Sequence, residues 1–106
     1  MKTLKIKIET LNYDQIDVND ILVEKIVNAN SATELSKHLR EIDTSVIGTN
    51  NVLVSVREEF TESMIVAAMI VDKQGFEDNI DNISGSLFEK YSELQKIDDK
   101  SDSKLQ

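Results

Sequence analysis

No cysteine occurs among the 106 residues, and neither does proline or tryptophan. The missing thiols exclude a disulfide framework and every thiolate metal site. With one histidine, His38, imidazole chemistry has a single candidate position. Three glycines, Gly48, Gly75 and Gly85, are too few and too scattered to build a phosphate-cradling loop. Five aromatic residues, none alternating with basic ones, supply no stacking platform for single-stranded nucleic acid. The longest apolar run, Met64 to Val71, is eight residues, where a membrane-spanning helix needs about twenty. Lys2, Lys5 and Lys7 interrupt the N-terminal stretch in which a secretory signal would be continuously apolar. The expectation is a cytoplasmic protein with no membrane partner.

What is present is enough for one core. A chain of this length is one domain, and on folding it hides about two-thirds of the surface its unfolded form exposes. Apolar residues make up 40% of it. The formal charge is −8 and unevenly placed: +2 over residues 1–10 and −1 over 98–106, which leaves −9 for residues 11–97. Such a surface repels phosphate backbones and anionic lipid and attracts basic proteins. Usage leans to isoleucine, asparagine and lysine over arginine, the bias of an AT-rich bacterial or phage genome.

Along the chain the hydrophobic period changes. Leu4, Ile6 and Ile8 alternate with Lys5, Lys7 and Glu9, the period of two that marks a half-buried strand. From Asp17, as cap, Val18, Ile21, Leu22, Ile26 and Val27 fall on one helical stripe. Asn28 to Asn30 ends it. Ser31-Ala-Thr-Glu34 reads as a capping box, and Leu35, Leu39 and Ile42 extend a second helix that closes a helical hairpin. Val52, Val54 and Val56 mark a strand over Asn51–Glu58, with Ser45–Ile47 a short strand before it. Met64 to Val71 fits a strand buried on both faces, or a buried helix; its β-branched content and length favour the strand. Phe76, Ile80, Ile83, Leu87, Tyr91, Leu94 and Ile97 then recur at helical spacing, with Gly85 and Ser84 a weak point near residues 83–86. The fold class expected is α+β: a small antiparallel sheet of a strand, a helical hairpin and two or three strands, with a long C-terminal amphipathic helix. Residues 1–97 form the domain, and 98–106 an acidic mobile tail.

Candidate chemistry is sparse. His38 lies on the border of its helical stripe one turn after Glu34, with no nucleophile in a recognisable elbow. Asp14, Asp17 and Asp20, and Asp78 with Asp81, miss the spacing of a calcium loop. No catalytic, cofactor or metal ligand set is expected. Ser31–Ile47 resembles a helix-turn-helix, with Ser36, Leu35, Leu39 and Val46 in place, which implies a winged helix-turn-helix DNA-binding regulator. Against it, Arg40 stands where the turn glycine belongs, and Thr44–Asn51 holds no lysine or arginine with which to meet phosphate.

Acid gathers at Glu58, Glu59, Glu62, Asp72, Glu77, Asp78 and Asp81, the candidate surface for a basic protein partner. Leu87, Tyr91, Leu94 and Ile97 are the candidate face for a homodimer, because the stripe outruns what a small sheet covers. The function expected is a small, acidic, non-enzymatic protein-binding factor: an inhibitor, an immunity or antitoxin-like protein, or an assembly accessory.

Overall fold

A computed structural model of the chain describes residues 3–11, 20–48, 50–59 and 65–105, with the side chains of 97–105 left aside. Four strands and three helices follow in the order β1 (Thr3–Thr10), β2 (Ile21–Asn28), α1 (Ala32–Arg40), β3 (Val52–Glu58), β4 (Val66–Val71), α2 (Lys73–Asp78) and α3 (Ile80–Leu105). A 3-10 turn at Thr44–Val46 joins α1 to β3. The sheet is antiparallel throughout, in the order β2-β1-β3-β4. This is the α+β class that the alternating periods of two and 3.6 residues imply.

β1 is central because its alternation is cleanest. Leu4, Ile6 and Ile8 are buried on the helical side, while Lys5, Lys7 and Glu9 face the other way. Register carries that division across the sheet: Ile6 faces Val56, Val56 faces Ala67, and all three are buried. Onto this inner face pack Leu35 and Leu39 of α1, Phe76 of α2, and Ile83, Leu87 and Tyr91 of α3. The capping reading of α1 holds at Ser31, whose hydroxyl accepts from the Glu34 amide at 3.2 Å.

The helical stripe read from Asp17 to Val27 is overturned. Residues 21–28 are β2, an edge strand paired with β1, so a single helix stands where a hairpin was expected. The physical reason is a pattern that edge placement scrambles. Lys25 sits on the inner face and reaches out at the rim to Glu41, 3.0 Å away, while Ile26 sits on the open face. A register shift opposite Ile8 and Glu9 breaks the alternation again. Pairing with β1 and four β-branched residues then outweigh an accidental 3.6-residue period. Asp14, Asp17 and Val18 lie outside the described residues. The short strand expected at Ser45–Ile47 is instead the 3-10 turn, capped by Asp43.

Val66–Val71 is a strand, antiparallel to β3. The terminal stripe divides earlier than Gly85: Asn79, with φ −126° and ψ 32°, separates α2 from α3, and Gly85 lies inside α3. The helix backbone continues through Leu105, into the segment read as a tail. No helix among the described residues is long and apolar enough to cross a membrane.

Candidate functional site

The seven acidic residues expected to share one surface do not. Glu58 ends β3 and Glu59 follows it, whereas Asp72 follows β4 next to the start of β3, since Val71 pairs with Val52. The length of β3, about 20 Å at 3.3–3.4 Å per residue, separates the two sets. Glu62 lies outside the described residues. Glu58 accepts a hydrogen bond from the Tyr91 hydroxyl, and Glu59 pairs with Lys5 at 3.4 Å. Both are structural partners at the far end of the sheet.

The other four gather where the 3-10 turn, α2 and the first turn of α3 meet. Asp72 caps α2, its Oδ1 accepting from the Gly75 amide at 2.6 Å. A β-carbon on Gly75 would stand 2.8 Å from that same oxygen, so glycine here leaves room for the cap. Glu77 accepts from the Thr44 hydroxyl at 2.7 Å, tying α2 to the 3-10 turn. Asp81 accepts from the Ser36 hydroxyl and, at 2.7 Å, from Arg40, whose other terminal nitrogen is 2.6 Å from Ser36 Oγ. This triad pins the start of α3 to α1. The Ser36 hydrogen bond and, after it, the Arg40 guanidinium hold the Asp81 carboxyl below its ordinary pKa.

Asp43 joins them, a residue that charge counting along the chain did not single out. Its only sequence signal is the Asp-Thr-Ser turn pattern, in which the carboxylate accepts from the Ser45 amide at 3.0 Å. A hydrogen bond from the Ser45 hydroxyl and, after it, the one from the Ser45 amide lower its pKa as well, with help from the charge of Lys73. Five carboxylates, Asp43, Asp72, Glu77, Asp78 and Asp81, thus stand at one end of the helical layer against two cations, Arg40 and Lys73, a net of −3. A shallow open depression of about 540 Å³ lies among them, lined by Ile47, Gly48, Asp72, Lys73, Glu77 and Asp78.

This arrangement is an exposed, charged surface. Its carboxylates are exposed and mostly engaged in caps and cross-links, and the hydroxyls beside them, Ser36 and Thr44, donate to Asp81 and Glu77 with no histidine among the described residues there to activate them. Among the described residues, no group of three or more histidines and acids has the geometry to hold a metal ion.

His38 lies elsewhere. Its Nε2 is 3.1 Å from the Asn28 carbonyl, a contact in which the ring N–H donates and α1 is tied to the end of β2. Glu34, the partner expected from spacing, is not the one it uses.

The candidate dimer face is also redistributed. Leu87 and Tyr91 are each 1% exposed in the monomer's own core, which removes them from any interface. Leu94 is half-buried, and the Ile97 side chain lies outside the described residues. Within Ser31–Ile47, the second helix that a helix-turn-helix requires is only the three-residue 3-10 turn.

No protein-family model, no curated protein and no solved structure matches this chain.

Proposed function

We propose that this chain is a non-enzymatic protein-binding factor that presents the acidic end of its helical layer to a basic surface on a partner protein. The observation that carries this reading is the convergence of Asp43, Asp72, Glu77, Asp78 and Asp81 on elements that caps and the Ser36–Arg40–Asp81 triad hold rigid. Preorganised like charge on a firm scaffold raises the rate of association with an oppositely charged partner and selects against anionic ones. Inhibitors, immunity or antitoxin-like proteins and assembly accessories all work by such complementarity. The test compares affinity capture by the wild-type chain with capture by a Glu77→Lys, Asp78→Lys double variant, at low and at high salt. A basic protein held by the wild type, released by salt and lost by the variant is the expected result. Equal retention by both chains overturns the reading.

A further inference from the structure

The two edges of the sheet are built differently. β2 carries Glu24 and Lys25 in ion pairs with Lys5 and Glu41 at 3.1 and 3.0 Å, and a register shift disturbs its pairing. Charge and irregularity are what keep a sheet edge from pairing with another chain. β4 has neither. It reads Val-Ala-Ala-Met-Ile-Val, without a charge, and its six pairs with β3 run unbroken. Among the described residues, its backbone makes no hydrogen bond beyond that ladder. On the open face beside the edge, Val66 and Ile70 are 45% and 52% exposed. Between the edge and α3 runs a groove of about 340 Å³, lined by Met69, Val71, Asn82, Ile83 and Ser86 among others.

We infer that β4 is a dimerisation edge, pairing antiparallel with β4 of a second copy across a two-fold axis to form one eight-stranded sheet. Three observations select a second copy as the occupant. The first is register. Facing residues of an antiparallel ladder point to the same side of the sheet, so a two-fold axis must place one residue opposite itself. With Ala68 on the axis, Val66 of each chain faces Ile70 of the other. Both exposed branched side chains are then covered, and the smallest side chain takes the crowded centre. The inner row sets Ala67 against Met69 of the other copy, so the groove-lining Met69 of each chain meets a small side chain across the axis.

The second is charge. Residues 29–51 and 71–96 carry nine carboxylates against five cations, a net of −4. β4 carries none, so two copies of an acidic chain meet there without opposing like charges. The third is the asymmetry itself, because among the described residues only one of the two edges lacks a guard. An edge of six residues covers less than the about 800 Å² per partner of a standard interface, so the dimer is weak and set by concentration. This proposal is independent of the acidic end.

Sedimentation equilibrium of the full chain from about 5 to about 500 μM reads it directly through mass action. The mass should climb from 12.0 kDa towards twice that value. Val66→Lys and Ile70→Lys, each at an exposed position, should stay monomeric at every concentration, with melting midpoints and circular dichroism of the monomer unchanged. Leu94→Asp on α3 should dimerise like the wild type. A wild-type chain that is monomeric throughout overturns the proposal. So does a dimer that either lysine variant leaves intact, or one that Leu94→Asp weakens as much as they do.

Discussion

Replacing Tyr91 by phenylalanine tests what ties the long helix to the sheet. Tyr91 is 1% exposed, and its hydroxyl donates to the Glu58 carboxylate at the end of β3. The substitution removes one oxygen and leaves the ring in the core. A hydrogen bond to a charged group is worth about 1.5–3 kcal/mol net. Glu58 is half-buried, so water replaces part of what it loses, which puts the cost near the lower figure, about 1.5 kcal/mol. For a domain of this size that lowers the melting midpoint by about 6 °C. A cycle with Glu58→Gln isolates the pair, because the two substitutions should cost less together than the sum of each alone.

The same contact has a pH signature. Burial first, and the Glu58 carboxylate after it, push the Tyr91 phenol well above its ordinary value. A folded-state pKa above the unfolded one gives stability that is complete below the unfolded value of about 10 and is lost as pH rises beyond it. The deficit of Tyr91→Phe should therefore be constant through neutral pH and shrink above about pH 10, at no more than about 1.4 kcal/mol per pH unit. Urea unfolding across that range reads both quantities. An unchanged midpoint at neutral pH, or parallel alkaline limbs, would refute the reasoning.

The remaining expectations follow from other contacts. Gly85→Ala should stabilise the chain by about 1 kcal/mol, read as a raised urea midpoint, because a β-carbon there meets nothing within 4 Å inside a helix. Gly75→Ala should gain none of this, because its β-carbon displaces the Asp72 cap and forfeits about 1 kcal/mol. Leu87→Ala, at 1% exposure on the inner face of α3, should cost about 2–5 kcal/mol by thermal unfolding. Asp81→Asn should flatten the acid limb of the stability curve. The lowered carboxyl pKa contributes stability above the unfolded value of about 3.9 that is lost as pH falls through the folded one, and acid titration by circular dichroism shows it.

Local chemistry was legible wherever one face of an element meets the core and the other meets water. β1 alternates because it is covered on one side only, and α1 starts at Ser31 because a hydroxyl there meets a free amide. The helical period from Ile80 to Tyr91 is read correctly, but Leu87 and Tyr91, expected at a dimer face, lie in the monomer's own core. β2 was illegible for the opposite reason. Lys25 faces inward yet escapes at the rim, and Ile26 faces outward on an uncovered sheet, so neither side chain reports its face by its polarity.

The acidic surface was legible as composition and not as a place. A run of carboxylates along the chain says nothing about which of them a strand will separate. Glu58 and Asp72 differ by fourteen positions, yet β3 and β4 carry them to opposite ends of the sheet. Asp43, remote from the others in sequence, joins the acidic end through the 3-10 turn that Thr44 ties to Glu77.

The sequence alone determined the class of the fold, most of the elements and the sign of the surface, because these depend on side-chain period, capping chemistry and net charge. Tertiary structure decided which strands are edges and which carboxylates are neighbours. It also decided that Leu87 and Tyr91 are spent inside the monomer while Val66 and Ile70 remain outside it. Those outcomes depend on pairing between segments distant in sequence, and no local pattern encodes which partner a strand or a helix face will meet.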